Sequence, residues 1–308
     1  MGALANDKLR LIVTGKCNLA CFYCHNEGQE KEETFLSEGL FRRVLAAIQG
    51  DQMTVREVTI SGGEPLLHER LPDFVAQSRN LAHDVTMVSN GLLAGNQMVQ
   101  ELGAAGLTKF RLGVDSLAPN KPRPSPGPLA EPFDAGALVT RLRAADVAID
   151  MNCVLTRFNR RRVSALVAFA IEHRLDTKFF EHVDVRRYGA ESVAGSMAAR
   201  PHVPWSDFVA EAERGARTPL AFSPTPEFGE ANLASHDTGQ EIRYCRYLCP
   251  FGLCWITGTR VDPQGFVYNC MVNRGLDRID ASMDEQAIVE VLDRASSRPC
   301  RAAEQEIA

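Results

Sequence analysis

The chain has 308 residues, 45% of them hydrophobic and 24% charged, which suits one large folded core and excludes a disordered, low-complexity chain. Its formal net charge is −5 with acids and bases interspersed, so the basic stripe of a nucleic-acid binder is missing and no nucleic-acid partner is expected. No stretch approaches the roughly 18 apolar residues that span a bilayer, and the first residues lack a cationic lead into an apolar run, so no membrane partner and a cytoplasmic location are expected.

In chain order, short β-branched runs at residues 9–14, 55–60, 85–88, 108–114, 147–155 and 177–183 alternate with amphipathic stretches. Over residues 37–49, for example, Ser37 is a natural N-cap, and Leu40, Phe41, Val44, Leu45 and Ile48 make one apolar face. Such alternation predicts a parallel sheet with right-handed crossovers, and six units are too few for a closed eight-fold barrel. The expected fold is therefore α/β, a partial (β/α)6 TIM-like barrel over residues 1–183. Its ligand site should be lined by the loops after the strands, at the carboxyl end of the sheet. The proline-rich stretch KPRPSPGPLAEP at residues 121–132 predicts a loop on the barrel rim. Residues 184–240 predict an irregular connection with one helix opened by Ser206. Residues 241–308 predict a small α+β annex of short strands, with a last helix over residues 283–295.

Nine cysteines in a chain without an evident export signal point to metal ligation rather than to disulfides. Cys17, Cys21 and Cys24 make a C-x3-C-x2-C triad on a loop directly after the first predicted strand. Three thiolates on a [4Fe–4S] cubane leave one iron open to a non-protein ligand. Three other readings compete. Cys21 to His25 spells a haem-attachment motif, and Cys21 with Cys24 could be a redox pair, but both leave Cys17 idle. A zinc site could recruit His25. Further along, the sequences Ser61-Gly62-Gly63-Glu64-Pro65, Ser89-Asn90-Gly91 and Val114-Asp115-Ser116 follow the second, third and fourth predicted strands, and Asn152 lies in the fifth.

The triad, with Tyr23 before its third cysteine, resembles the radical S-adenosylmethionine (SAM) superfamily. That resemblance implies that SAM chelates the open iron and is reductively cleaved to a 5′-deoxyadenosyl radical, which abstracts hydrogen from a substrate. It implies SAM-contact roles for Tyr23, Gly62, Gly63, Glu64, Pro65, Ser89, Asn90, Ser116 and Asn152, and an electron donor of flavodoxin or ferredoxin type. The glycines of the second loop would let backbone approach the ligand, with Glu64 accepting from its ammonium.

Within the superfamily, SGGEPLL, SNGLL, GVDSL, NCVLTRFN and Arg260-x4-Gly265-x4-Cys270 resemble segments of the GTP 3′,8-cyclases of molybdenum-cofactor biosynthesis, in order. The resemblance implies a twitch-like C-terminal domain holding a second [4Fe–4S] cluster on Cys245, Cys249, Cys254 and Cys270. It also implies substrate contacts by Arg10 and Arg260. Other cations of the GTP site are replaced by Thr59, Asp150 and Gly258. A site acidified by Asp150 and short of charge-assisted contacts, each worth about 1.5–3 kcal/mol, disfavours GTP. The expected substrate is another small molecule, a nucleotide, nucleoside or sugar derivative, joined, cyclised or rearranged at carbon. The alternatives are the GTP cyclase itself, a radical SAM peptide maturase and a non-catalytic iron–sulfur redox sensor. Cys153, beside Asn152, is expected to be a packed core thiol, Cys300 a free one, and His25, Asn26 and Glu27 to fix the loop after the triad.

Overall fold

The computed structural model describes residues 4–21, 23–29, 32–117, 133–156, 159–181, 203–225, 230–246 and 258–299. The six expected strands form as β1 (Lys8–Thr14), β2 (Glu57–Gly62), β3 (Asp84–Ser89), β4 (Lys109–Gly113), β5 (Ala148–Leu155) and β6 (Thr177–Glu181). They lie side by side in chain order, each pair parallel. Five helices alternate with them: α1 (Glu38–Gly50), α2 (Leu71–Arg79), α3 (Asn96–Ala104), α4 (Ala135–Ala144) and α5 (Val163–Glu172). Ser37 Oγ caps α1 by accepting from the Leu40 amide at 3.2 Å, and Phe41, Val44, Leu45 and Ile48 face the core. The core lies between strands and helices. Leu9, Leu11, Ile60, Met87, Phe110, Leu112, Met151 and Phe179 belong to it and are almost fully buried, so strand alternation turns the intervening residues into the barrel. Cys153 is in this core, 1% exposed.

Beyond β6 the chain is more ordered than expected. Residues 184–240 carry the expected helix, α6 (Trp205–Ala216), but also β7 (Ser223–Thr225) and β8 (Glu230–Ser235). β7 has only three residues with Pro224 in the middle, and β8 is followed by a turn at Gly239, which hid them in the sequence; an antiparallel meander with β9 (Glu241–Arg246) holds them in place. β9 in turn runs parallel to β6. At the opposite edge, β10 (Thr259–Val261) joins β1 in parallel, then turns through β11 (Phe266–Tyr268) into β12 (Asp277–Arg278). The C-terminal strands thus extend both edges of one twelve-stranded sheet. The last helix, α7 (Glu285–Ser297), is capped by Asp284 Oδ1 and follows β12. Gly258 suits the point where β10 meets β1: at φ +129° a Cβ there would lie 2.8 Å from the Lys8 carbonyl oxygen, so a side chain at this position would be strained.

The 121–132 stretch and Cys249, Cys254 and Cys300 lie outside the described residues. Among those described, no helix is long and apolar enough to cross a membrane.

The floor of the barrel holds an ion pair of Lys8 with Glu57 at 2.9 Å. Burial would raise the Glu57 pKa, but Lys8, helped by Arg111, lowers it from 4.5 to about 2. A depressed carboxylate contributes stability that is fully present above the unfolded pKa and lost as pH falls through the folded one. The unfolding midpoint in urea should therefore decline between pH 4.5 and 2. Glu57→Gln should flatten part of that decline; an unchanged pH profile would show that the pair contributes nothing.

Candidate active site

The triad loop leaves β1 at Thr14 and is held by its own backbone. The Cys24 amide donates to the Cys21 carbonyl at 3.1 Å. Two thiols accept backbone N–H bonds, Cys17 Sγ from Leu19 at 3.4 Å and Cys24 Sγ from Asn26 at 3.3 Å. Such N–H donors suit sulfur that carries negative charge. Burial pushes the Cys17 thiol up to about 11, with Glu64, Cys24 and Cys21 adding to the rise and the Leu19 amide opposing it. A bound metal would reverse this, since it takes the thiolate. Among the described residues no three ligand-type side chains gather as around a single ion. Cys17, Cys21 and Cys24 would hold a [4Fe–4S] cluster through three thiolates.

The Gly62-Gly63 turn explains how the loop is seated. The Gly63 amide donates to the Thr14 carbonyl at 2.8 Å and the Glu64 amide to the Lys16 carbonyl at 2.9 Å. A Cβ on Gly62 would lie 2.4 Å from the Thr14 oxygen, and one on Gly63 would lie 2.1 Å from the Lys16 oxygen. Both glycines, expected to admit a ligand, here admit the backbone of the triad loop itself. Pro65 opens a single buried 3-10 turn behind them.

Glu64, expected to face an ammonium, is fully buried. Its Oε1 accepts from Ser89 Oγ at 2.7 Å and the Leu66 amide at 3.0 Å, and its Oε2 accepts from the Asn90 amide at 2.9 Å. Asn90 Nδ2 in turn donates to Asn18 Oδ1 at 2.8 Å. The loops after β1, β2 and β3 are thereby one hydrogen-bonded unit. The loop after β4 joins it through Tyr23, whose hydroxyl donates to Asp115 Oδ2, while Asp115 Oδ1 accepts from the Val154 amide at 3.2 Å. Burial, then the Asp115 charge, raises the Tyr23 pKa, so the phenol keeps the proton it donates. Asp115→Asn should weaken the hold on the Tyr23 ring. Losing a charge-assisted bond of about 1.5–3 kcal/mol should raise KM for SAM roughly tenfold, measured by initial rates of SAM cleavage; an unchanged KM would refute the positioning role.

Two polar atoms fit an absent ligand. Ser61 Oγ and Asn152 Oδ1 are buried without a hydrogen-bond partner, and alternation turns both into the barrel below the loops. Ser116 lies in the same loop as Asp115 and is partly buried. The thiol triad, the joined loops and these unsatisfied atoms fit a [4Fe–4S] cluster with SAM.

The loop after the triad is fixed as expected. Asn26 Nδ2 donates to the Gly15 carbonyl at 3.2 Å and the His25 ring accepts from the Glu27 amide. Glu27, however, does more. Its carboxylate pairs with Arg10 Nη1 at 2.6 Å and Arg260 Nε at 3.3 Å, while Tyr268 Oη donates to its carbonyl at 2.8 Å. Burial would raise its pKa, yet Arg10 and Arg260 hold it near 2. The two arginines expected to meet substrate thus share one carboxylate inside the protein.

The acidified site expected at Asp150 is also corrected. Asp150 is bound by Arg111 Nε at 3.0 Å and Nη2 at 3.1 Å, with Lys109 at 3.7 Å. Lys178, on the next strand, is lowered to about 8 by burial, then by Arg111 and Arg243. Among the described residues the wall carries Lys109, Arg111, Lys178 and Arg243 beside Asp150 and Glu241. Arg111, Lys178 and Arg243 escaped the sequence reading because they belong to no motif; basic residues alternating with core residues along β4, β6 and β9 were the available signal.

Of the second cysteine set, Cys245 is the penultimate residue of β9 and Cys270 follows β11, strands that lie near the two edges of the sheet in strand order, and both are buried.

The model of the Radical SAM superfamily matches residues 11–157. The PqqA peptide cyclase of Xanthomonas oryzae pv. oryzae is 31% identical over 196 residues, 62% of this chain and 51% of that protein. A probable GTP 3′,8-cyclase of Archaeoglobus fulgidus is 36% identical over 115 residues, 37% of this chain and 38% of that protein. The chain spans about half the length of the first of these relatives and less of the second. In fold, Streptococcus suis SuiB bound to S-adenosylmethionine superposes with a TM-score of 0.64 at 15% identity, covering 97% of this chain and 67% of SuiB. Native anSMEcpe with bound AdoMet gives 0.57 at 14% identity, covering 92% and 80%. The family model runs from β1 past the end of β5, so residues 11–157 form a radical SAM domain, and the barrel fold is shared with these solved structures.

Proposed function

We propose that the protein uses SAM and a [4Fe–4S] cluster on Cys17, Cys21 and Cys24 to abstract hydrogen from a peptide substrate. When bound, this pair supplies one-electron cleavage of a carbon–sulfur bond in SAM and hence a hydrogen-abstracting carbon radical. The chain's own residues orient it: Gly62 and Gly63 seat the triad loop, Glu64 and Asn90 lock the neighbouring loops to it, and Asp115 holds Tyr23. Ser61 and Asn152 offer the remaining polar contacts. A flavodoxin- or ferredoxin-like donor would supply the electron.

The observation that carries the choice of substrate is the Arg10–Glu27–Arg260 pairing. The sequence points to a nucleotide only through those two cations, and a triphosphate would have to displace a buried carboxylate to reach them. Relatives and fold neighbours whose names refer to peptides, the PqqA peptide cyclase and SuiB bound to its precursor peptide SuiA, add support. The cyclase likeness favours the nucleotide reading instead, but extends over only 37% of this chain. A second cluster on Cys245, Cys249, Cys254 and Cys270 is part of the proposal.

The test is anaerobic incubation of reconstituted protein with SAM, dithionite and either GTP or short peptides encoded beside its gene, with Cys21→Ala as blank. Mass loss or cross-linking in a peptide, with no cyclised GTP, is expected. Efficient 3′,8-cyclisation of GTP would overturn the reading. Iron content matching two cubanes rather than one checks the second cluster.

A further inference from the structure

The segment after the triad folds against its own conformational preference. Asn26, Glu27 and Gly28 follow one another at φ +46°, +56° and +86°. Glycine adopts such left-handed angles freely and asparagine tolerates them, but the Cβ of a glutamate crowds the following carbonyl. Glu27 is therefore the residue of the three that must be held. Three adjacent strands hold it. Arg10 on β1 is the register partner of Arg260 on β10, and Arg260 is that of Tyr268 on β11, so the three side chains stand in one row. All three end on Glu27: Arg10 Nη1 reaches Oε1 at 2.6 Å, Arg260 Nε reaches Oε2 at 3.3 Å, and Tyr268 Oη donates to the main-chain carbonyl at 2.8 Å. Arg260 is anchored in turn by the Asn269 carbonyl, which accepts from its Nη1 at 2.7 Å. Gly28 packs on Met271, where an added Cβ would lie 3.2 Å from the Met271 Cβ. The turn held in this way aims a backbone donor at the triad, for the Asn26 amide reaches Cys24 Sγ at 3.3 Å.

We propose that Arg10, Arg260 and Tyr268 are positioning residues for the cluster: through Glu27 they hold the left-handed turn that points the Asn26 N–H at the Cys24 sulfur, and so raise the cluster's reduction potential. From the preceding reading this takes only that the triad holds a [4Fe–4S] cluster. Reduction adds one electron whose charge spreads onto the ligating sulfurs, and an N–H dipole aimed at one of them favours the reduced form. The C-terminal strands thereby act on the redox step, although they lie more than two hundred positions along the chain from the triad.

Potentiometric EPR titration of the reconstituted protein, with titanium(III) citrate as reductant, reads the potential, and the signal that changes on adding SAM identifies the triad cluster. Tyr268→Phe removes one hydrogen bond to Glu27 and no charge, so any shift reports the turn rather than the field of the arginines. Its midpoint should become more negative, the ratio of reduced to oxidised cluster at the parental midpoint falling about threefold, or roughly 30 mV for a one-electron couple. Gly28→Ala, which presses on Met271 and strains the same turn, should shift the midpoint in the same direction. Val167→Ala opens a cavity in the core at α5 and should lower the urea midpoint with the potential unchanged, which separates lost stability from a lost hydrogen bond. A parental potential in Tyr268→Phe, or in Gly28→Ala if only that variant carries a cluster, overturns the proposal, as does an equal shift in Val167→Ala. Loss of the cluster from both turn variants also overturns it, since the turn would then serve binding rather than potential. A parent protein with no SAM-responsive signal defeats the cluster reading itself, a result distinct from all of these.

Discussion

Gly63→Ala is expected to cost most of the iron that the triad can bind and to destabilise the fold. The added Cβ would lie 2.1 Å from the Lys16 carbonyl oxygen, 2.5 Å from its carbon and 2.9 Å from the Gly15 oxygen. All three are backbone atoms, so no side chain can swing aside. Either the β2 loop or the triad loop must move, and the amide bonds from Gly63 to Thr14 and from Glu64 to Lys16 are lost with it. Overpacking typically costs about 1–3 kcal/mol, and with two hydrogen bonds broken at about 1 kcal/mol each the sum lies at or above the upper end. Urea unfolding would read the stability, and iron per chain after anaerobic reconstitution would read the cluster. Gly95→Ala, at the N-cap of α3 where a Cβ meets nothing within 4 Å, should leave the iron content unchanged and cost at most about 1 kcal/mol of stability. A Gly63→Ala protein with parental iron content would show that the triad loop does not depend on this turn.

Glu27→Gln is expected to produce the largest loss of stability. The carboxylate is the shared partner of Arg10 and Arg260, whose side chains are 15% and 8% exposed. Glutamine keeps the shape but removes the charge that both buried guanidiniums share. Removing one member of such a buried set costs about 3–5 kcal/mol. The loss should appear as a lowered urea midpoint at neutral pH, and the double variant Arg10→Met/Glu27→Gln should recover part of it, because one stranded charge is gone. A change below about 1 kcal/mol, the value typical of exposed pairs, would mean that water reaches the cluster of charges. Because Glu27 also ties the triad loop to β10 and β11 through Arg260 and Tyr268, iron loading should fall along with stability.

Much of the barrel was legible because strand and helix periodicities are local. The alternation of residues 9–183 marked all six parallel strands, and the Ser37 cap marked the start of α1. β7 and β8 were missed because three- and six-residue strands of an antiparallel meander carry too little pattern of their own. Their pairing comes from β9. In the site, the triad, the Gly62-Gly63 turn, Glu64 and Asn90 were all found by motif. What each one touches was not: Glu64 accepts from Ser89 and Asn90 within the protein, and both glycines accommodate the Thr14–Lys16 backbone.

The sequence by itself determined the chemistry available at the carboxyl end of the sheet, since three cysteines spaced on one loop are neighbours in any fold. It also determined the order of the six strands that carry that loop. The tertiary structure alone decided which charges cancel. Arg260 reaches Glu27 across 233 positions of chain, and Arg111 reaches Asp150 across 39. Coulombic balance depends on distance in space and on exclusion of water, and neither is encoded in local spacing. For that reason two arginines that looked ready for a substrate are answered from within, while Lys178 and Arg243, in no motif, are set side by side in the barrel.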